Sequence, residues 1–440
     1  MFHVNLFLEM TSTQRDYELK TPKSKRLYER AKKVFPAGVS YFIRYFEPYP
    51  FYVTHAKGSK IFDVDGNTYI DFWMGHYTHI LGHNPPVVKK AVKQQLERGT
   101  HLGVCHELEI ALAEQIVKMV PCAELVRFAN SGTEASMYAT RLVRAFKKKS
   151  KIVKFEGCWH GGYDCLQTAV KPPMDMPETS GVPAETLKNT IVAPFNDIYM
   201  TREKIKNHEI AAFIIEPVLG AGGGIPADKE FLQELKELSR EKDALLVFDE
   251  VITGFRLAPG GAQQFFNVTP DLAILGKILG GGFPVGAIAG KRDVMERLDA
   301  TVYERPELCF HGGTFSGNPI TMTAGLVMLK QLEDGTIISQ LNKRCRKLRN
   351  QLEEIFEDNH INVQVTGEGS LFQTHFTNET IKDVHAVSRA DRQKLVDYHT
   401  HLMVNGVFFL PAKLGALSKA HTEADLERLL TKTVDYAKSL

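Results

Sequence analysis

The sequence predicts an α/β fold: a mainly parallel, doubly wound large domain, with a smaller α+β domain formed by the chain ends. Three observations lead there. From about Ala123 onward, short apolar runs alternate with helix-like stretches, the signature of a parallel sheet with crossover helices. The runs LLVF and LAIL are apolar at every position, as strands covered on both faces are. Nearer the chain ends, FYVTH, KIFDV, VQVTG and LFQTHF read as strands outside that pattern.

In chain order, residues 1–20 read as a loosely held arm. Thr21 and Pro22 start a helix that carries Leu27, Ala31 and Val34 on one face until Phe35-Pro36-Ala37-Gly38 breaks it. FYVTH, KIFDV and TYIDF are strand-like, with Asp65-Gly66-Asn67 a hairpin turn between the last two. Asn84-Pro85-Pro86 opens a helix with Val88, Ala91, Val92 and Leu96 as its stripe. LVRFA then leads to a helix near Glu134 to Lys147, KIVKF to a loop, and AAFIIEP to the helix Lys229 to Arg240, which returns to LLVFDEV. One long helical stretch, roughly Pro319 to Asp358, follows. VQVTG, LFQTHF, VFFLP and a last helix capped by Thr422 complete the chain. The expected divisions are 1–85 (arm, helix and hairpin), 86–330 (large domain) and 331–440 (small C-terminal α+β domain).

At 440 residues, 43 % apolar and 24 % charged, the chain has the composition of a globular protein and the length for two or three domains, or for one large domain with a satellite. The net charge of +2 comes from 54 basic and 52 acidic residues mixed along the chain, so neither nucleic acid nor an anionic membrane is expected as partner. Cys105, Cys122, Cys158, Cys165, Cys309 and Cys345 lie far apart without Cys-x-x-Cys spacing, which suits a reduced, cytoplasmic setting. MFHVNLFLEM has no basic segment before its apolar residues and does not read as a signal peptide. No apolar run approaches the roughly 20 residues of a membrane helix.

The chemistry concentrates between Ala244 and Gly290. Ala244 to Phe248 is a buried strand that stops at Asp249; Leu272 to Leu275 is a second that stops at Gly276, followed by Lys277 and then Gly280-Gly281-Gly282. Ligands of open α/β sheets bind beyond the carboxyl ends of the strands, so both residues face one cleft. A lysine amine for a Schiff base and an acid that keeps a pyridine nitrogen protonated are what pyridoxal 5'-phosphate chemistry needs. Asn130-Ser131-Gly132-Thr133 opens a helix after a strand, where free N–H groups, hydroxyls and the helix dipole suit a phosphate; Ser and Thr also serve there as plain caps. Trp159 follows the strand KIVKF and could stack on a flat ring. His76, His79 and His83, and His399 and His401, are closely spaced, but without a His-Glu-x-x-His motif no metal is expected.

DEVITGFR, GGAQQFFNVTPDL and LGKILGGGFPVG resemble the core of the class III aminotransferases, most closely the glutamate-1-semialdehyde aminomutase branch, and matching blocks recur from Phe35 to about Thr422. The resemblance implies a fold-type-I pyridoxal-phosphate transferase with Lys277 and Asp249 catalytic. It implies cofactor contacts from Ser131, Gly132, Thr133, Trp159, His160, Val251 and Thr314. Thr314 would reach the cofactor phosphate of a neighbouring subunit, which makes a homodimer with shared active sites. Arg44 aligns with an arginine that holds a substrate carboxylate, with Tyr41 and Tyr77 beside it.

The substrate side departs from the aminomutase pattern. His76-Tyr77 replaces Trp-Gly, Tyr41-Phe42 replaces Ser-Pro, Ala221 replaces Asn or Glu, the lid's glycine-serine cluster is missing from 170–182, and residues 411–415 lack an expected acid. No arginine lies between Asn405 and Glu427, which leaves Arg44 as the one well-matched carboxylate clamp. The expected activity is therefore amino transfer between a monocarboxylate amino compound, of the β- or ω-amino acid type, and an oxo acid or aldehyde. The alternatives are glutamate-1-semialdehyde aminomutase, and a non-catalytic or metal-dependent protein that keeps only the fold.

Overall fold

The structure is a computed structural model that describes residues 12–440. Ser12–Lys20 is a helix rather than a loose arm, because Tyr17 is buried and donates its hydroxyl to the Tyr49 carbonyl at 2.8 Å. Residues 1–11 of the expected arm lie outside the described residues. In the Pro22–Ala31 helix the buried face is Ser24, Tyr28 and Ala31, not Leu27, Ala31 and Val34. The helix ends at Ala31, so Val34 is left 73 % exposed. Thr21 does not cap it; its hydroxyl turns back to the Tyr17 carbonyl at 2.6 Å.

Strands β1 (Val53–Lys57), β2 (Lys60–Asp63) and β3 (Thr68–Asp71) form an antiparallel unit. Gly66 has φ +94° in the β2–β3 turn, a conformation open to glycine and strained for other residues. The Pro86–Leu96 helix that follows buries Val88 but leaves Leu96 exposed at its end.

The large sheet comprises β4 (Leu125–Ala129), β5 (Lys151–Phe155), β6 (Thr190–Ala193), β7 (Ile210–Ile215), β8 (Leu245–Glu250), β9 (Leu272–Gly276) and β10 (Gly286–Gly290), in the order β4-β10-β9-β8-β7-β5-β6. All neighbours are parallel except β10, which runs antiparallel to both β4 and β9. β7 and β8 are buried along their whole length. Phe213 and Phe248 are fully covered, a burial worth about 1.5–3 kcal/mol for each ring.

The long helical stretch is two helices, Pro319–Leu332 and Thr336–Asp358, separated where Gly335 takes φ +74°. β11 (Val363–Thr366), β12 (Leu371–Phe376) and β14 (Gly415–Ala416) make a three-stranded sheet, whereas the intervening β13 (Val407–Phe408) pairs in parallel with β3. The strand-like VFFLP thus joins the N-terminal sheet, and the two ends of the chain are held as one layer. Among the described residues no helix is long and apolar enough to cross a membrane.

The last helix, Glu423–Ala437, begins with a reciprocal cap: Thr422 Oγ1 accepts from Asp425 N, and Asp425 Oδ2 accepts from Thr422 N and from Ser59 Oγ. Thr422→Ala should therefore lower stability by about 1 kcal/mol, read as a shift of the urea midpoint at constant slope.

Candidate active site

β8 and β9 are adjacent and parallel, with Asp249 opposite Ile274, so Asp249 and the residue after β9, Lys277, emerge at the same edge. Gly276 allows this: a Cβ there would stand 3.3 Å from Val251 Cγ1. Lys277 itself is left-handed at φ +47°, a costly backbone for a residue with a side chain. It is largely buried, and its amine has no hydrogen-bond or ion-pair partner among the described residues. Burial pushes its pKa below the usual lysine range, the charges of Asp249 and Glu216 push back, and Arg256 adds to the lowering.

Asp249 is fixed by donors. Its Oδ2 accepts from His160 Nδ1 at 2.7 Å and its Oδ1 from Val251 N at 3.1 Å. Burial drives the His160 pKa down, so the ring is neutral and its Nδ1 carries the donated proton. His160 Nε2 is then an acceptor, and it is buried without a partner among the described residues. Trp159, at the end of β5, is 40 % exposed and gives its backbone N–H to Glu216 Oε1 at 2.6 Å.

At the amino end of the Gly132–Lys147 helix, Ser131 Oγ accepts from Glu134 N at 3.1 Å and Thr133 Oγ1 from Gly162 N at 3.2 Å. Glycines bring backbone against backbone here: a Cβ on Gly286 would stand 2.0 Å from the Ser131 carbonyl oxygen, and one on Gly161 2.3 Å from Thr133 Oγ1. Val251 covers Gly132 from the cleft side. Thr314 is not brought to these residues. It lies in an exposed segment that lines a surface cleft with residues 101–106.

On the other side of Lys277 stands the segment holding His76 and Tyr77. Burial, and then the charges of Lys277, Lys413 and Arg44, take the His76 pKa down to about 3, so the imidazole is neutral throughout the working range. It stacks on Trp73 with centroids 4.4 Å apart. Tyr77 is buried against Leu371, Leu414 and Ala416. Arg44 donates to Ser40 Oγ at 2.9 Å and lies 5.9 Å from the Tyr41 ring, with no carboxylate partner among the described residues. Three of the closely spaced histidines have ring or hydrogen-bond partners. His79 packs on His83, His83 Nε2 meets Asp71 Oδ2 at 2.7 Å, and His399 Nδ1 accepts from Ala412 N.

Two residues escaped the sequence reading. Lys413 acts on His76 and has no acidic partner among the described residues. Burial and the nearby Arg392 and Lys171 lower its pKa. Glu216, buried at the end of β7, accepts from Trp159 N and Gly220 N, yet burial and the charge of Asp249 raise its pKa to about 8. The signal for Glu216 was present: AAFIIEP ends an apolar strand in a carboxylate just as LLVFD does. For Lys413 there was none, because nothing local in PAKLG places it near His76.

Residues 42–427 match the family Aminotransferase class-III. The chain is 45 % identical over 404 residues to glutamate-1-semialdehyde 2,1-aminomutase of Methanocaldococcus jannaschii, a match covering 90 % of this chain and 92 % of that protein. An omega-transaminase from Sphaerobacter thermophilus superposes with a TM-score of 0.90 at 38 % identity, covering 94 % of this chain and 97 % of that one. A transaminase solved with PLP bound gives a TM-score of 0.88 at 30 % identity, over 95 % and 98 % of the two chains.

Because the folded pKa of Glu216 is raised to about 8 from 4.5, the folded chain holds a proton that the unfolded chain releases between those values. Stability from this group is full at pH 4.5 and falls as pH rises toward 8. In the cofactor-free chain, Glu216→Gln should flatten the fall in melting temperature between pH 6 and pH 9; an unchanged slope would remove Glu216 as its source.

Proposed function

The chain belongs to the class III aminotransferase family, and from that premise we propose that it moves an amino group between a carboxylate-bearing amino compound and an oxo acid or aldehyde acceptor. Pyridoxal 5'-phosphate is the cofactor, and the residues present fit it: an unpaired buried amine at Lys277, a fixed carboxylate at Asp249, an orphaned acceptor at His160 Nε2, and a helix amino end at Ser131 to Thr133. When bound it supplies an electrophilic carbonyl carbon and an electron-withdrawing ring.

Lys277 Nζ, its proton loosened by burial, is the amine that anchors the cofactor and then carries the proton to and from the reacting substrate carbon. Asp249 offers its buried charge to the ring nitrogen, held in place by His160 and Val251 N. Ser131, Gly132 and Thr133 would hold its phosphate, and Trp159 and Val251 would pack against its ring. A second copy of the chain brings Thr314. The apolar surface of Leu102, Val104, Phe310 and Phe315 is exposed on that side of the molecule and suits such a homodimer. Six unpaired cysteines, five of them buried, suit a reducing cytoplasm.

The substrate reading is carried by one observation: apart from Lys277, which the cofactor engages, the charged groups that act on His76 are Lys413 and Arg44, both cations. Such a pocket favours anions. Arg44 takes the donor's carboxylate, Lys413 is placed for an acceptor's second one, and Tyr41, His76 and Tyr77 supply the neutral wall that suits a β- or ω-amino acid. The 45 % identical aminomutase favours a second reading, in which the amine is moved within one molecule. Against that reading stand the substrate-side departures, His76-Tyr77, Tyr41-Phe42 and Ala221 among them.

Lys277→Ala is expected to retain noncovalent cofactor binding with no detectable turnover. Asp249→Asn is expected to lower kcat by at least about 10²-fold, roughly 2.7 kcal/mol, rather than to act on KM alone. A spectroscopic half-reaction screen decides between the two readings: β-phenylalanine, β-alanine and 4-aminobutyrate should convert the bound cofactor to its amine form faster than glutamate-1-semialdehyde or its diamino analogue does. Arg44→Ala should raise the donor KM about tenfold or more, and Lys413→Ala should do so for a dicarboxylic oxo acid while sparing a monocarboxylic one. A strong preference for the semialdehyde would install the aminomutase reading instead.

A further inference from the structure

Met74, Gly75, His76 and Tyr77 have φ of +47°, +59°, +63° and +67°, the only run of four left-handed residues among the described residues. Left-handed residues ordinarily occur singly, and each of the three with side chains costs about 1–2 kcal/mol. The turn's own bonds, Tyr77 N to the Trp73 carbonyl at 2.9 Å and Thr78 N to the Met74 carbonyl at 3.0 Å, offset part of that. Gly75 is required inside it, since a Cβ there would meet the His79 ring at 2.5 Å.

Two outside groups hold the turn. Asp71 Oδ1 accepts from Trp73 N at 2.8 Å and Met74 N at 3.1 Å, which fixes its entry. Arg256 fixes its exit. This side chain is 1 % exposed and has no carboxylate partner among the described residues, an expensive way to keep a cation. Its donors are spread over three segments: Nη2 to the Tyr77 carbonyl, Nη1 to Ser370 Oγ at 2.9 Å, and Nε to the Ile252 carbonyl at 3.2 Å. Ile252 lies three residues past Asp249. Ser370 precedes β12 and accepts from Leu417 N at 2.8 Å, close to the Leu414 and Ala416 that pack on Tyr77. Arg256 therefore joins the loop after β8, the left-handed turn, and the segment before β12, which in turn bonds Leu417.

We propose that Arg256 is a positioning residue: with Asp71 it locks the left-handed turn Met74–Tyr77 as the pocket wall opposite Lys277, setting where His76 and Tyr77 meet the substrate. The proposal rests on the aminotransferase reading for its functional half and on geometry alone for its structural half. Lysine keeps the charge but not the three-way fork, and methionine keeps only the volume.

The test compares Arg256→Lys and Arg256→Met with the parent holoenzyme. Hydrogen exchange of the Tyr77, Thr78 and His79 amides should be at least about tenfold faster in Arg256→Met, while amides of β8 stay protected. The donor KM should rise at least about tenfold with kcat within about threefold, and Arg256→Lys should recover only part of either effect. Unchanged exchange in the turn overturns the lock. Equal acceleration in β8 overturns it too, since that is general loosening, and faster exchange with an unmoved KM overturns the specificity role. The exchange measurement needs no turnover, so a parent chain inactive on every donor would sink the aminotransferase reading while leaving the lock to be judged by itself.

Discussion

Asp249 is held by a neutral imidazole and a backbone N–H, and the layout of the whole carboxyl edge depends on that choice. A lysine or arginine in place of His160 would cancel the carboxylate's charge and fill the cleft. The neutral ring does neither, so the charge stays directed at the space between β8 and β9. Lys277, one strand over, feels that charge without forming an ion pair with it. Glu216 completes the balance. Burial and the charge of Asp249 raise its pKa, which weakens the second negative charge facing Lys277.

Close backbone approach is the second requirement, and the antiparallel strand β10 meets it. Its sequence, Gly-Ala-Ile-Ala-Gly, leaves room for the Ser131 carbonyl at one end and for Leu272 at the other. The loop that opens the Gly132–Lys147 helix is thereby pressed against the sheet, with its N–H groups turned toward the same edge as Asp249 and Lys277. In a parallel sheet this size, one strand of reversed direction has no effect on the neighbours' carboxyl ends. β4 and β9, both antiparallel to β10, still point the same way.

What the sequence made legible follows from the range of the forces involved. Apolar runs, glycine turns and caps act within a few residues, so β7, β8, β9, the Asp65-Gly66-Asn67 turn and the Thr422 cap were readable from local pattern. Asp249 and Lys277 were readable because each ends such a run. β10 was missed because glycine and alanine carry little strand signal, and its place is set by what its lack of side chains lets approach. The break at Gly335 was missed because the helices on either side share one apolar register. The left-handed turn, the fork of Arg256 and the placement of Lys413 depend on partners more than a hundred residues away, and no local preference encodes them. Local preference in fact opposes the turn.

That opposition ties the fold to the pocket. A left-handed run of four is unfavourable alone, and a buried guanidinium without a carboxylate is unfavourable alone. Brought together, the carbonyl at the end of the turn gives the guanidinium an acceptor, and the guanidinium gives the turn a fixed end. The remaining donors then fall on the loop after Asp249 and on the segment before β12. A right-handed helical turn at Met74–Tyr77 would need no such support, but it would not present His76 and Tyr77 where they now stand. The pocket wall thus exists because three segments distant in sequence converge on one side chain, and the local backbone cost is borne by contacts that form only in the complete fold.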